Sequence, residues 1–235
     1  MEYSFICSFF LVYYCYFITI TNYFLDVSND SVYIKTMKLS ELAVVRSGLV
    51  LSRKQAREKT ENRYSLLTLK SIKPDATVSE VDLDVFDAVE SLNKEYLTAV
   101  GDVIVRTSTP YTSVLIDKKT VGMVVSSNFV IIRCYADKLL PEYLFWFLNT
   151  DTMKKDIFKN SAGNMLAAIK PQYFCDLDIE LPSLREQKLI ADFNMTARKE
   201  LELLEQLKNE KEKLYQACLK AKNIEFTNNK KGAAK

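Results

Sequence analysis

The chain has 235 residues, 48% of them hydrophobic, so it is long and apolar enough to bury a globular core. A formal net charge of +2 does not by itself indicate a nucleic-acid-binding protein, so any basic surface must come from the arrangement of the charges. The chain has no histidine, which excludes Ser-His-Asp and Cys-His catalysis and removes the usual ligand of catalytic zinc.

The N-terminal segment from Ser4 to Leu25 carries no charge and has the length of a membrane-spanning helix. No lysine or arginine precedes it, and no small-residue cleavage site follows it, so it is an imperfect anchor and an imperfect signal peptide. Met37 opens a sequence typical of a soluble domain. We therefore expect residues 1–36 to be an upstream extension that is not normally translated, with a membrane anchor as the competing interpretation.

Charge is distributed in blocks after Met37. The charged residues of 38–63 are mostly basic, whereas those of 64–100 are mostly acidic. The first block contains a short basic stretch with Arg53, Lys54 and Arg57, which we interpret as a loop or short helix. Two interpretations stay open for it: contact with phosphate groups, or an ordinary solvated turn.

The middle of the chain has the composition of β structure, with runs rich in β-branched residues separated by polar turns. Turns are predicted at Gly101-Asp102 and at Asp117–Thr120. The pattern indicates an antiparallel meander of short strands. The predicted strands are Tyr64–Leu69, Tyr96–Val100, Val103–Thr107, Val114–Ile116, Val121–Val125 and Phe129–Arg133.

Helices follow the strands. Pro141 is a favourable first-turn residue for an apolar helix in which Trp146 is predicted to lie in the core, and Thr152–Lys159 has a basic amphipathic pattern. Ser183 and Glu186 have the spacing of a capping box, which predicts the start of a third helix. The predicted third helix runs from Leu184 to Ala221.

This third helix would be about 57 Å long, more than the core of a small domain requires. Its apolar residues recur at heptad spacing, which is typical of a coiled coil, although Glu200 and Lys211 interrupt the seam. We therefore expect it to pair with another helix; the alternative is a long helix folded against its own domain. The predicted pairing residues are Ile190, Phe193, Ala197, Leu204, Leu207, Leu214 and Cys218.

Several stretches of the chain resemble a known protein family. They are Lys38–Leu42, Arg46–Gly48, Gly101–Arg106, Ser127–Arg133, Pro141–Leu144, Ile169–Pro171 and Ile179–Pro182, the last running into Arg185–Lys188. In this order and spacing they resemble the specificity subunit of type I restriction-modification systems, in a form with a single target recognition domain. The resemblance covers nearly all of residues 37–222. Because members commonly carry two recognition domains and two helices, this chain resembles a half subunit.

The resemblance implies an α+β fold: a mixed, mostly antiparallel β target recognition domain over residues 37–182, and a helical spacer or dimerisation helix over 183–224. A disordered polar tail is predicted over 225–235. The implied function is to recognise one half-site of a bipartite double-stranded DNA target and to direct methyltransferase and restriction subunits. Such a chain would pair with itself or with another specificity chain, and would need no metal or cofactor.

Loops of the recognition domain are expected to lie in the major groove, with lysine and arginine side chains on phosphates. Two structural alternatives remain open, namely a strand-end salt bridge for Arg106 and a packed ring for Tyr111. The candidate DNA-binding residues are Arg53, Lys54, Arg57, Arg106, Ser108, Thr109, Tyr111, Thr112, Lys159, Asn160, Asn164 and Lys170.

Three rival interpretations are available. An enzyme is disfavoured because the chain has only 5 glycines and no glycine-rich loop to hold a cofactor. A membrane-tethered coiled-coil interaction protein would leave the β-rich middle without a purpose, and a silent, truncated gene fragment is the third possibility. The 5 cysteines are scattered and form no Cys-x-x-Cys pair, which favours a reducing, cytoplasmic location.

Overall fold

A computed structural model describes residues 35–161 and 168–232 of the chain. It contains nine strands and five helices within these ranges, so the predicted α+β class is confirmed. The strands are β1 (Lys35–Lys38), β2 (Ala43–Ser47), β3 (Arg63–Leu67), β4 (Asp84–Asp87), β5 (Asp102–Arg106), β6 (Ser113–Leu115), β7 (Val124–Val125), β8 (Phe129–Cys134) and β9 (Asp178–Leu181). The helices are α1 (Leu39–Leu42), α2 (Pro141–Asn149), α3 (Asp151–Asn160), α4 (Pro171–Cys175) and α5 (Leu184–Gly232).

The strands form three sheets. The main sheet has four antiparallel strands in the order β2-β8-β5-β6. A second sheet has the order β4-β3-β7, in which β7 runs parallel to β3. The third sheet pairs β1 with β9, so the segment before the first helix lies beside the segment before the last one. Strand β1 begins at Lys35, two residues before Met37.

The main sheet lies between two apolar layers, because residues along β5 and β8 alternate between its faces. Val103 and Val130 belong to the larger core, together with Leu39 of α1, Leu144 of α2 and Phe174 of α4. On the opposite face, the side chains of β5 and β8 pack against residues of the second sheet. That face carries Ile104, Ile131 and Phe129, which cluster with Leu67 and Val125.

Two of the predicted strands were wrong. At Tyr96–Val100, a 3-10 turn spans Lys94–Tyr96, and Leu97 makes only an isolated bridge to Val124. The hydroxyl of Thr98 donates to the carbonyl of Thr120 and accepts from the backbone N–H of Met123, so this segment is bonded to a turn rather than to a ladder.

The segment Val121–Val125 forms a strand only at its last two residues. Gly122 adopts a φ of +80°, which makes the first half of the segment a turn. The remaining strand, β7, pairs with β3 in the second sheet. The predicted antiparallel meander was therefore wrong, because β8 returns between β2 and β5 instead of following β6.

The start of α5 is fixed by two sets of polar contacts. The hydroxyl of Ser183 accepts from the backbone N–H of Glu186 at 3.3 Å, and the carboxylate of Glu186 accepts from the N–H of Ser183 at 2.8 Å, which confirms the predicted capping box. Gln187 is fully buried; its amide oxygen accepts from the N–H of Leu140, and its amide nitrogen donates to the carbonyls of Lys138 and Pro182. These contacts tie the helix to the segment before α2.

Helix α5 packs on its own domain only along its first turns. The guanidinium of Arg198 lies over the ring of Phe145, 4.9 Å from its centroid, and from Lys199 to Asn223 every side chain is exposed. The helical backbone continues to Gly232, so the predicted disordered tail was wrong for residues 225–232, which contain no proline or glycine before Gly232 to end the helix. No helix in the described ranges is both long and apolar enough to cross a membrane, and the predicted span Ser4–Leu25 lies outside them.

Candidate nucleic-acid interface

Polar loops converge at one end of the main sheet, where β5 ends and β8 begins. The loop 107–112 joins β5 to β6, and the turn 126–128 joins β7 to β8. Both the N–H and the hydroxyl of Thr107 donate to the carbonyl of Asn128, at 3.0 and 2.9 Å. The N–H of Ile169 donates to the carbonyl of Thr107, which adds the segment before α4. We name this region, residues 106–112, 126–128, 159–161 and 169–170, the polar edge.

Arg106 is the last residue of β5 and the first residue of the polar edge. Its Nε donates to the hydroxyl of Ser108 at 3.3 Å, and within the described ranges no carboxylate lies within ion-pair distance of it. Partial burial lowers the pKa of Arg106, because the charged form loses hydration. Among the described residues the strand-end salt bridge considered for Arg106 is therefore not formed, and the Nε bond to Ser108 uses one of the five N–H donors of the guanidinium.

Tyr111 and Thr112 shape the loop 107–112 from within. Tyr111 is 2% exposed and adopts a φ of +56°, and its hydroxyl is hydrogen-bonded to that of Ser161 at 2.8 Å. Thr112 is also 2% exposed. The packed-ring interpretation of Tyr111 is therefore the correct one. In the same loop Ser108 is half-buried and Pro110 is exposed, whereas the hydroxyl of Thr109 is buried and has no hydrogen-bond partner among the described residues.

The end of α3 and the start of α4 bring further predicted residues to the polar edge. Lys159 and Asn160 are exposed on the last turn of α3, where the Asn160 amide donates to the carbonyl of Asp156 at 2.9 Å. Lys170 is exposed and precedes α4. Asn164 lies outside the described residues. The structure thus brings together Arg106, Ser108, Thr109, Lys159, Asn160 and Lys170.

The basic stretch of Arg53, Lys54 and Arg57 lies against β4 rather than on the polar edge. Gln55 forms a bridge with Ala88, and the N–H of Ala56 donates to the carbonyl of Asp87. The ammonium of Lys54 forms a salt bridge with Glu90, which lowers the pKa of that carboxyl. Arg53 and Arg57 are exposed, whereas the charge of Lys54 is partly neutralised.

Sequence reasoning missed three polar residues at this end of the sheet. Ser127 and Asn128 are exposed in the turn before β8, and Arg46 lies near the end of β2. Gly48 explains the position of the turn: a Cβ there would lie 2.1 Å from the carbonyl oxygen of Ser126, so only glycine permits the close approach. The sequence signal for this turn was the glycine directly after a strand, because a glycine at such a position indicates a close backbone contact.

At the other end of the main sheet, a partly buried ion pair holds two neighbouring strands together. Both carboxylate oxygens of Asp102 accept from Arg133, Oδ1 from Nε and Oδ2 from Nη2, each at 2.7 Å. Pro141 approaches Gly101 next to this pair, and Gln187 binds the carbonyl of Lys138 close by in the chain. The first turn of α5 around Gln187, which we call the root of the helix, and the polar edge therefore lie at opposite ends of the sheet.

Comparison with known proteins gives one family and a set of similar folds. The family model described as "Type I restriction modification DNA specificity domain" matches residues 32–213. No curated protein sequence matches the chain closely enough to count as a relative.

Three solved structures are similar in fold. The chain is 18% identical in sequence to the HsdS subunit from Thermoanaerobacter tengcongensis. The superposition has a TM-score of 0.56 and covers 75% of this chain and 45% of that subunit. A second similar chain comes from a structure described as showing complex assembly and conformational transition of the type I R-M system. It is 17% identical in sequence and superposes with a TM-score of 0.55, over 72% of this chain and 43% of that one. The type I restriction-modification S subunit from M. genitalium is 12% identical in sequence, with a TM-score of 0.50. That superposition covers 74% of this chain and 41% of the S subunit. The chain matches less than half the length of each of these proteins.

Proposed function

Since the chain belongs to the family of type I restriction-modification DNA specificity domains, we propose that it recognises one half-site of a bipartite DNA target and does no chemistry itself. Recognition is assigned to residues 37–182 and pairing with a second chain to residues 183–224. Methyltransferase and restriction subunits would then act at the site that the paired chains select. This assignment requires no metal or cofactor and is compatible with action in the cytoplasm.

The observation that carries the proposal is the arrangement of the polar edge. Arg106, a cation without a carboxylate partner in the described ranges, lies among hydroxyl and amide groups on a rigid sheet, at the end opposite to the root of α5. Arginine donates two parallel hydrogen bonds to guanine O6 and N7, which is the commonest specific contact in the major groove. Ser108, Asn128 and Asn160 offer shorter donors and acceptors, while Lys159 and Lys170 suit phosphate oxygens.

We expect Arg106→Ala to relax one base position of the recognised site and to weaken binding to the selected sequence by on the order of 1–3 kcal/mol, because one bidentate base contact is lost. The measurement is selection of binding sites from a pool of random duplexes, followed by titration of the selected duplex. Lys118→Ala is the matched control, since Lys118 is exposed in the turn at the opposite end of the sheet. A selected site that Arg106→Ala leaves unchanged would reject the assignment.

The pairing surface is the exposed part of α5. Of the predicted seam residues, Ile190 packs partly against the core of its own domain, and Ala197 is half-buried. Leu204, Leu207 and Leu214 are 53%, 52% and 58% exposed. From Lys199 to Gly232 the helix would extend about 50 Å beyond its domain, with apolar side chains at heptad spacing, which favours burial against a second helix.

Replacing both Leu207 and Leu214 by aspartate should convert a dimer into a monomer in sedimentation velocity, because charged groups would replace the apolar seam. The free energy of unfolding of the recognition domain should change by less than about 0.5 kcal/mol, since both side chains are already exposed there. The control places aspartate at Asn209 and Gln216, which are exposed on the opposite side of the heptad pattern. If both double variants dissociate to the same extent, or if neither of them dissociates, the predicted seam is wrong.

A further inference from the structure

Arg46 is a second arginine on the main sheet for which the described part of the chain supplies no ion pair. Its Nε and Nη2 are buried and have no hydrogen-bond partner in the ranges that the structure describes, although the side chain as a whole keeps some exposure. A buried donor on a charged group that lacks an acceptor destabilises the folded state. A destabilising feature of this kind is commonly retained where it serves binding, because a ligand can then supply the missing acceptor.

Arg133, on the same sheet, is an arginine that stabilises the fold through an ion pair, and it provides a comparison for Arg46. Nε and Nη2 form the side-on fork of a guanidinium, and in Arg133 this fork donates to the two carboxylate oxygens of Asp102. In Arg46 the same two atoms have no such acceptor among the described residues. The difference indicates that Arg46 does not stabilise the fold through an ion pair, and that its fork suits an acceptor with two oxygens.

The strand register places Arg46 on the same face as Arg106. Arg46 is paired with Ile131 of β8, and Arg106 is paired with Phe129 of β8. Ile131 and Phe129 point to the same side of the sheet, and directly paired residues share a face. From the strand spacing and the rise per residue, the two arginine Cα atoms are about 12 Å apart, which is comparable to the width of the major groove.

We propose that Arg46 is a phosphate-binding residue, whose guanidinium holds a phosphodiester of the DNA strand beside the groove that Arg106 reads. This inference rests on the proposed function. A phosphate offers the paired oxygens that the fork requires, and Arg46 lies on the edge strand β2, which β8 separates from the strand that carries Arg106. Because Nε and Nη2 are buried while the Arg46 side chain as a whole is half-buried, the fork would turn towards its exposed side when it binds a phosphate.

The test compares Arg46→Met with Arg46→Lys in the full-length chain, using a short duplex of random sequence over a range of salt concentrations. Arg46→Met should weaken binding about tenfold and lower the slope of log K against log salt by about one unit, because one phosphate contact is lost. Arg46→Lys should keep the wild-type slope, because a lysine retains the charge. The midpoint of urea unfolding of Arg46→Met should be equal to or higher than that of the wild type, since methionine removes the unpaired buried donors.

Each other result overturns the inference in a distinguishable way. If Arg46→Met lowers the unfolding midpoint and leaves the salt slope unchanged, Arg46 is structural. If binding to random duplexes is unchanged and one position of a selected site is relaxed, Arg46 reads a base rather than a phosphate. If the wild-type chain itself shows no salt-dependent binding, the proposed function fails and the inference fails with it.

Discussion

Replacing Arg133 by methionine is expected to lower the free energy of unfolding by about 3 kcal/mol. The change leaves the carboxylate of Asp102, which is fully buried, without its counter-ion, and breaking a buried ion pair on one side costs roughly 3–5 kcal/mol. The lower end of that range applies because the Arg133 side chain is 39% exposed, so water reaches part of the pair. Equilibrium unfolding in urea measures the change.

A double variant separates the ion pair from simple loss of packing. Replacing Asp102 by leucine together with Arg133→Met removes both charges, so most of the lost stability should return. Recovery should be incomplete, because Asp102 also accepts from the N–H of Ala99 at 2.8 Å. A loss below about 1 kcal/mol for Arg133→Met alone would contradict a structural role for this pair.

Gln187→Leu is expected to lower the free energy of unfolding by roughly 2–3 kcal/mol. The leucine has a similar volume but leaves the N–H of Leu140 and the carbonyls of Lys138 and Pro182 without their partner. Because these contacts hold the root of α5, the same variant should also alter the spacing between the half-sites read by a paired molecule. Urea unfolding and binding-site selection measure the two effects.

The matched control for Gln187 is its neighbour Lys188. The Lys188 side chain is 69% exposed and forms an i,i+4 salt bridge with Asp192 on the surface, so Lys188→Leu should change the free energy of unfolding by less than about 0.5 kcal/mol. Equal losses for Gln187→Leu and Lys188→Leu would show that the buried amide does not anchor the helix.

Features that depend on neighbouring residues were predictable from the sequence. The capping box of Ser183 and Glu186 acts over three residues, and Pro141 begins α2 as a first-turn proline does. The strands β5 and β8 have continuous β-branched runs, which are typical of strands buried on both faces. Such local patterns suffice to predict the α+β class of the fold.

Features that depend on distant partners were not predictable. Asp102 and Arg133 are 31 residues apart, and Gln187 lies 47 residues from Leu140, so no local spacing marks either contact. The pairing of β7 with β3 depends on a tertiary choice between two sheets. For the candidate site, the polar residues 108–112 lie in a loop between two strands as predicted, but the burial of Tyr111 depends on distant residues such as Ser161, 50 residues away.

The most direct test of the central claim is an adenine-methylation map of cells that express the full-length chain together with type I methyltransferase subunits from the same genome, compared with cells that lack the chain. The account predicts a new methylated motif that is bipartite and palindromic, because two copies of the chain would read identical half-sites in two-fold symmetry. A bipartite but asymmetric motif would assign the second half-site to a different specificity chain. No new motif, with both proteins shown to be expressed, would contradict the account.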